Sequence, residues 1–306
     1  MRAAMANRAA WVVVIAATGA PAGADAGPSP PQMLYAIGNG IGDGSSNLYR
    51  IDLYATVPVA VNVGETDHVF LDLAIDRATG FGWSVAGGQL YRIDLATASA
   101  ITIGPTGIGT MSALECLANG TLLAWGQVDG TLYEINTSTG AATPRFSIGL
   151  TPGGDLAVAA DGILYGSTGS MLIRINLQEE TVTPIGPFGV SSMFGLDMDT
   201  NGDLYGARGS TGNGSCTLYR IDLETGAASE IAPVADVTPY GCFGLAFRRM
   251  PLMGDIEQDG DVDAIDLALI LSSWGPCPIE GPCPADLNGD GVVNIEDVIE
   301  FLANWG

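Results

Sequence analysis

The sequence contains no lysine and a single histidine, so all 11 of its basic residues are arginines. Asp and Glu number 34, and the formal net charge is −23. A nucleic-acid partner requires a cationic surface that neutralises phosphates, and this composition does not supply one. The shortage of basic residues therefore argues against nucleic-acid binding and suits a protein that works in a cation-containing medium.

Long hydrophobic runs are also missing. Residues 9–17 form a short apolar segment that follows Arg2 and Arg8 and precedes the small residues at 22–24. A membrane-spanning helix needs about 18 apolar residues or more, whereas a short run with these flanks is typical of a secretory signal peptide. We predict a signal peptide over residues 1–24, no transmembrane anchor, and a secreted or cell-surface protein.

Cysteine is sparse, with five residues in the chain. In an oxidising compartment disulfides are the default, and Cys277 and Cys283 flank a proline-rich linker that one bond would close into a small loop. Cys216 and Cys242 could form a second bond if their strands are neighbours. Cys116 is then left as a buried small apolar residue. A metal site at Cys277 and Cys283 is the less favoured alternative because no histidine accompanies them.

Acidic and amide residues recur at alternate positions near the C-terminal end, in DIEQDGDVDAID at 255–266 and in DLNGDGVVNIED at 286–297. Oxygen-bearing side chains at positions 1, 3, 5, 9 and 12, with glycine at position 6, have the spacing of an EF-hand-type calcium loop. In the first copy these side chains are Asp255, Glu257, Asp259, Asp263 and Asp266. In the second copy they are Asp286, Asn288, Asp290, Asn294 and Asp297.

One such loop alone could be an Asx-rich turn, because Asp and Asn favour turns for backbone reasons. The second copy, 31 residues later, favours calcium, and the match continues past the ligands. Each loop precedes a helical apolar stripe that ends in Trp-Gly. Its members are Leu267, Ile270, Leu271 and Trp274 in the first copy, and Val298, Phe301, Leu302 and Trp305 in the second.

Two loop–helix repeats at the end of a secreted chain resemble a type I dockerin, over residues 254–306. The resemblance implies that each loop binds one Ca²⁺, and that the folded pair docks onto a cohesin-like module of another protein. It implies side-chain ligands at Asp255, Asp259, Asp266, Asp286, Asn288, Asp290 and Asp297, backbone-carbonyl ligands at Asp261 and Val292, and contacts often through water at Asp263 and Asn294. Glu257 is longer than the usual residue at position 3, and residues 264–265 and 295–296 are not the Ser-Thr pair associated with cohesin recognition. The partner is therefore a cohesin-like or another protein.

A second repeat fills the rest of the chain. LYRIDL or a close variant begins at Leu48, Leu90, Leu132, Leu172 and Leu218, at intervals of 42, 42, 40 and 46 residues. Four strand-like segments per unit of about 42 residues match a β-propeller blade. The first unit starts on its second strand and the last ends on an innermost strand, as a ring closed by both chain ends requires, whereas an open solenoid would need caps.

We therefore predict a mainly β chain. A linker over residues 25–32 leads to a propeller of about five four-stranded blades over 33–250, with the chain ends closing one blade. A small all-α, calcium-binding, dockerin-like domain follows over 251–306.

The predicted function is binding. In this hypothesis the C-terminal module, holding two calcium ions, attaches a propeller that recognises a carbohydrate or a protein. The alternative is a polysaccharide-degrading propeller enzyme, a glycoside hydrolase or lyase, delivered by the same module; it would need two carboxylates across a pocket. Candidates on the inner strands are Asp72, Asp76, Glu115, Asp155, Asp197 and Asp199, but aspartate at a strand end is more often a turn former. No catalytic residue and no organic cofactor is assigned. The lone His68 carries no nucleophile motif. The recurrent Arg50, Arg92, Arg174 and Arg220 could ring a channel and bind anions, but pairing with acids at an edge is favoured.

Overall fold

The computed structural model describes residues 32–40, 44–53, 55, 57–77, 79–209, 216–234, 237, 241–249, 254–256, 262–278, 283–303 and 305. The predicted signal peptide and all of the predicted linker except Gln32 lie outside the described residues. Within them the fold is mainly β, as the repeat predicts.

The β-strands form five antiparallel sheets of four strands each, which are the blades of a β-propeller. Blade 1 contains β1 (Gln32–Gly40), β2 (Ser45–Asp52) and β3 (Val59–Thr66), with β20 (Cys242–Arg249) as its innermost strand. Blade 2 contains β4 (Ala74–Ile75), β5 (Gly82–Ala86), β6 (Gln89–Ile93) and β7 (Ala100–Pro105). Blade 3 contains β8 (Met111–Cys116), β9 (Leu122–Gly126), β10 (Thr131–Ile135) and β11 (Ala142–Ser147).

The remaining blades repeat this order from the innermost strand outward. Blade 4 contains β12 (Leu156–Val158), β13 (Leu164–Ser167), β14 (Met171–Asn176) and β15 (Thr181–Pro187). Blade 5 contains β16 (Met193–Met198), β17 (Leu204–Gly209), β18 (Cys216–Ile221) and β19 (Ala228–Val234). The number of blades and the number of strands in each are as predicted.

Both ends of the repeat region close the ring in blade 1, which confirms the prediction from the repeat phase. Leu34 of β1 is paired with Phe247 of β20, in an antiparallel ladder. Gln32 reaches the neighbouring blade, where its Nε2 lies 3.3 Å from Asp199 Oδ2 and its Oε1 accepts the Thr200 N–H. A disulfide between Cys216 of β18 and Cys242 of β20 joins blades 5 and 1 covalently.

The core lies between neighbouring blades, where the apolar faces of two sheets meet. Between blades 1 and 5, Leu34 and Ile51 pack with Leu218 and are almost fully buried. Glycine permits the close approach of blades 2 and 3 at their outer strands. A Cβ added to Gly104 would lie 2.2 Å from the Thr139 carbonyl oxygen, and one added to Gly140, at φ +81°, would lie 2.3 Å from the Gly104 carbonyl oxygen.

The C-terminal segment contains two nine-residue helices, α1 (Ala264–Ser272) and α2 (Ile295–Ala303). A two-residue ladder between β21 (Gly275–Pro276) and β22 (Val292–Val293) adds a short β element to the predicted all-α domain. A second disulfide joins Cys277 to Cys283, and Cys116 is a buried free thiol, both as predicted. No described helix is long and apolar enough to cross a membrane.

The predicted apolar stripe of each helix is only partly buried. Ile270 and Phe301 occupy equivalent positions and are fully buried, and they pack with the buried Val262, Ala285 and Val293. Leu271 and Leu302, however, are more than half exposed, and Trp274 and Trp305 are about half exposed. The buried stripe is therefore narrower than predicted.

Candidate functional site

The second predicted calcium loop, residues 286–297, is built around the carboxylate of Asp286. Its Oδ1 accepts the N–H groups of Gly289 and Asp290 at 2.8 and 3.1 Å, and its Oδ2 accepts the Gly291 N–H at 2.8 Å. Gly291, at position 6, has φ +88°, a conformation that residues with a Cβ rarely adopt. The loop therefore turns sharply where an EF-hand-type loop requires a glycine.

The oxygen-bearing groups at positions 3, 5, 7 and 9 of this loop converge. The Asn288 and Asn294 Nδ2 atoms lie 3.4 and 3.5 Å from the same oxygen, Oδ2 of Asp290. Asn294 Nδ2 also lies 3.3 Å from the Val292 carbonyl oxygen. The oxygens of these amides accept backbone N–H groups: Asn288 Oδ1 accepts the Asp290 N–H at 2.9 Å, and Asn294 Oδ1 accepts the Glu296 N–H at 2.7 Å. An amide oxygen has a second lone pair, so each can also contact a cation.

These groups fit a hard divalent cation. Asp286, Asn288, Asp290, Asn294 and the Val292 carbonyl supply five oxygen positions, and Ca²⁺ takes six to eight oxygens including waters. Asn288 and Asp290 are exposed, so water can complete such a shell. The donor set is all oxygen, which suits Ca²⁺ and does not suit softer metals.

The acids at position 12, Asp266 and Asp297, are fully buried and close their loops in the same way. Asp266 accepts the N–H groups of Ile256 and Asp263 at 2.6 and 2.9 Å, which are positions 2 and 9. At the same two positions of the second loop, Asp297 accepts the N–H groups of Leu287 and Asn294 at 2.8 and 2.7 Å. Each carboxylate therefore joins the two ends of its loop.

The residues at positions 9 and 12 also start the helices. Asp263 is the N-cap of α1, and its Oδ1 accepts the Ile265 N–H at 2.7 Å. Asn294 Oδ1 accepts the Glu296 N–H at 2.7 Å in the same manner. Together with the bonds to position 12, this is a capping box, which we did not predict although an Asp or Asn three residues before an acid signals it.

The Asp297 carboxylate is held in its charged form. Burial acts to raise its pKa, but the backbone N–H groups of Asn294, Asn288 and Leu287 outweigh burial and hold the pKa below its ordinary value. A ligand role for Asp266 and Asp297 stays a prediction.

The first loop is described at Asp255, Asp263 and Asp266. Glu257, Asp259 and Asp261 lie outside the described residues, so their convergence stays a prediction. In the described residues, the two loops share one feature: the carboxylate at position 12 accepts the N–H groups of positions 2 and 9.

The disulfide-bonded linker is attached to the second loop. Cys277 N–H donates to the Gly291 carbonyl at 2.9 Å, next to the β21–β22 ladder. The sulfurs of Cys277 and Cys283 and a carboxylate oxygen of Asp286 lie within 4.8 Å of one another. Because both sulfurs are in the disulfide, they cannot act as thiolate ligands, and the group is not a thiolate metal site.

In the propeller, four of the six candidate inner-strand acids come together around the axis. Asp72, Glu115, Asp155 and Asp197 are buried, and each accepts a backbone N–H from the innermost strand of the next blade. The donors are Leu114 to Asp72 at 2.5 Å, Val158 to Glu115 at 3.0 Å, Leu196 to Asp155 at 3.0 Å, and Phe247 to Asp197 at 2.5 Å. These N–H groups are on the open edge of an innermost strand, where no fifth strand can pair with them. The four acids therefore act as hydrogen-bond acceptors for these otherwise unpaired N–H groups.

Burial keeps these carboxyl groups partly protonated. It raises the pKa of Asp72 to about 7 and that of Asp197 to about 6. Burial also raises the pKa of Asp155 and of Glu115 well above the ordinary range, and Asp155 shares a hydrogen bond with Asp72. The Arg77 guanidinium partly offsets the effect at Glu115 and Asp197.

The space beside these acids is too small for a substrate. A cavity of about 10 Å³ is lined by Arg77, Glu115 and Asp197, among others. That volume accommodates one water molecule at most. Asp76 and Asp199 are turn formers, as expected, because they accept N–H groups of Thr79 and of Asn201 respectively.

The other single candidates have structural surroundings. The His68 ring packs against Tyr91, with centroids 4.3 Å apart. Arg220 forms an ion pair with Asp203, as predicted for the arginine row, whereas the Arg92 guanidinium lies 4.3 Å from the centre of the Phe81 ring. Both arginines are on the third strand of a blade, which excludes a ring of these cations around the axis.

No protein-family model matches the chain, and no curated protein matches its sequence. Solved structures are similar in fold. A chain in the crystal structure of a nidogen/laminin complex aligns with a TM-score of 0.50 at 12% identity, over 71% of this chain and 98% of that chain. A virginiamycin B lyase from Staphylococcus aureus aligns with a TM-score of 0.39 at 15% identity, over 65% of this chain and 70% of that chain. The first similarity shows a shared fold alone, and the second score is too low to carry an argument.

Proposed function

We propose that this chain is an exported binding protein, in which a C-terminal, calcium-dependent, dockerin-like module attaches a β-propeller recognition domain to a partner protein or a cell-surface assembly. The observation that carries the proposal is the convergence of four oxygen-bearing groups in the second loop, at positions 3, 5, 7 and 9, with a position 12 closure that the first loop repeats. A simple Asx turn does not need acids or amides at positions 3, 5 and 9 together.

The attachment surface we propose is the exposed apolar face of the two helices. Of the fifteen large hydrophobic side chains that are exposed in the described chain, eight lie in the C-terminal segment. Ile295, Ile299 and Leu302 follow one another at intervals of four and three residues, so they lie on one face of α2. Such a stripe is typical of a helix that docks into an apolar groove.

The negative charge around this face indicates which kind of partner would fit it. Residues 254–306 hold 12 acids and no base, and the exposed Glu296 is adjacent to Ile295. A complementary partner has an apolar groove with basic residues at its rim. A cohesin-like module is one protein of this kind.

Export is supported by the two disulfides, which are consistent with an extracellular protein. Binding is favoured over polysaccharide cleavage because the buried inner-strand acids of the described propeller bond backbone N–H groups and border a cavity of about 10 Å³. Because these acids are buried and already bonded to the backbone, they do not form a carboxylate pair that a sugar chain could reach.

Calcium titration of the mature chain, followed by calorimetry, tests the proposal. We expect two bound ions in the parent and one in Asp290→Ala, which removes a central oxygen donor of the second loop. Asn294→Ala should weaken that site less, because position 9 often acts through water. Asp161→Ala, an exposed turn acid of the propeller, is the matched control and should leave both sites intact. A parent that binds no calcium, or an Asp290→Ala variant that still binds two ions, would contradict the module.

Attachment itself is tested with Ile299→Asp, which charges the centre of the α2 stripe without touching a loop position. We expect the variant to bind calcium as the parent does and to lose calcium-dependent capture of the partner from the secreted fraction. Capture that survives chelation would contradict calcium-dependent docking.

A further inference from the structure

The innermost strands carry a β-bulge at the same position in three of the five blades. In blade 1 the register passes from Ile37 opposite Gly244 to Gly38 opposite Cys242, which skips Phe243. In blade 5 the same shift skips Phe194, and in blade 3 it skips Ser112. A bulged residue is left out of the ladder, so its side chain can be redirected.

These bulged residues surround one opening of the propeller. Phe194, Phe243 and Ser112, together with Leu71 of blade 2 and Gly154 of blade 4, line a cavity of about 240 Å³. The five residues come from five different blades, each just before or at the start of the innermost strand. We call them the mouth ring.

The described lining of the cavity is mostly apolar, and its polar side chains are those of Ser112 and Gln127. The rings of Phe194 and Phe243 stack, with centroids 5.2 Å apart and planes at 16°. Ser112 also lines the cavity, but its Oγ is buried, with no hydrogen-bond partner among the described residues. Gln127, from the β9–β10 hairpin, adds an exposed amide.

The glycine in the mouth ring is required by packing. A Cβ added to Gly154 would lie 2.2 Å from the Met193 carbonyl oxygen and 2.6 Å from Ser167 Oγ. Blade 4 therefore contributes no side chain at this position.

We infer that the mouth ring binds a small, neutral, planar ring that carries one hydrogen-bonding group, such as a phenol. Stacked aromatic side chains favour a planar aromatic ligand, and the exposed Gln127 amide supplies one hydrogen bond. Among the described residues no charged side chain lines the cavity, and the acidic chain disfavours anions. A sugar ring would bury several hydroxyls against only two polar side chains, and buried unpaired hydroxyls are costly.

This inference deepens the recognition role proposed for the propeller and rests on it. It does not involve the calcium loops. Calcium titration of the same protein samples therefore separates a failure of ring binding from a failure of the attachment module.

The test is a titration of the mature chain with p-cresol, followed by ligand-observed NMR. A fragment of this size should bind with a dissociation constant on the order of 1 mM. Phe194→Ala/Phe243→Ala should weaken binding at least tenfold, and Gln127→Ala should reduce the preference for p-cresol over toluene. Phe81→Ala is the matched control, because that ring lies against Arg92 and not in the cavity.

A further variant and two further ligands make the test decisive. Ser112→Leu places a larger side chain on the lining and should also abolish binding, which covers the case in which the double variant does not fold. N-acetyl-tyrosinamide binding as tightly as p-cresol supports a ring presented by a polypeptide, and much weaker binding supports a free phenol. Absence of p-cresol binding, unchanged binding in both cavity variants, or tighter binding of methyl glucoside than of p-cresol would overturn the inference.

Discussion

A single carboxylate can hold three blades of this propeller together. Asp155 accepts the N–H of Leu156 in its own blade, of Leu196 in blade 5, and of Leu245 in blade 1, at 2.7, 3.0 and 3.3 Å. Because innermost strands have an open edge toward the axis, these donors have no partner in a ladder. A buried acid is therefore a structural group here, although in sequence it has the form of a catalytic candidate.

Asp155→Ala should destabilise the propeller strongly. It leaves three buried backbone donors without this acceptor, and each unsatisfied donor costs about 1–3 kcal/mol. We expect the free energy of unfolding to fall by about 3 kcal/mol or more, measured by urea denaturation.

Asp161→Ala is the matched control for this change. Asp161 is exposed and accepts one N–H, from Ile163, so its loss should cost below about 1 kcal/mol. Equal stability of the two variants would mean that water replaces the Asp155 carboxylate.

At the scale of elements, the strand that closes the ring is attached twice. β20 pairs with β1, and Cys242 on β20 bonds Cys216 on β18. The bond spans 26 residues, and a loop of that size corresponds to about 3 kcal/mol of stabilisation in the chain-entropy account.

Cys216→Ala/Cys242→Ala should therefore lower the melting temperature of the propeller by roughly 5–10 °C. The matched control is Cys277→Ala/Cys283→Ala, which removes the disulfide of the C-terminal segment and should leave the propeller transition unchanged. Differential scanning calorimetry at constant calcium measures both. A parent-like propeller transition in the first variant would show that the β1–β20 ladder closes the ring without help.

The propeller could be predicted from the sequence because its signal is periodic. LYRIDL-like segments alternate as strands do and recur five times, so blade number and ring closure both follow from spacing. The outer strands β11 and β19 give a poorer signal, because their ATPRFS and ASEIAPV segments are mostly exposed and contain few β-branched residues.

The candidate sites were less predictable, since they depend on contacts between distant residues. The calcium-loop spacing is local and identifies Asp286 to Asp297 directly. The mouth ring depends on bulges, and the register shift at Ser112, Phe194 and Phe243 has no marker in the sequence. The burial of Asp72 and Asp155 likewise follows from five strands meeting at an axis.

At the scale of the whole molecule, the acids of the C-terminal loops and the acids at the propeller axis differ in their pKa values. The loop acids of the C-terminal segment are spaced for a cation, and Asp297 has a pKa below its ordinary value. The axial acids of the propeller have raised pKa values because burial disfavours their charged form. The two parts should therefore respond to pH in opposite directions.

The propeller should be more stable at pH 5 than at pH 8. Burial raises the pKa of Asp72 to about 7 and that of Asp197 to about 6, whereas an unfolded chain loses these protons near pH 4. Between pH 4 and 7 the folded state therefore holds protons that the unfolded state has lost, and stability falls as pH rises through that window.

Each retained proton contributes about 1.4 kcal/mol per pH unit, so the difference between pH 5 and 7 should reach about 2 kcal/mol or more. Thermal unfolding followed by circular dichroism at constant calcium measures it. Asp72→Asn keeps an acceptor oxygen but cannot titrate, so the pH dependence should become shallower in that variant. A melting temperature that rises from pH 5 to pH 8 in the parent would show that the axial carboxyl groups are charged in the folded propeller, and their burial would then need a cation at the axis.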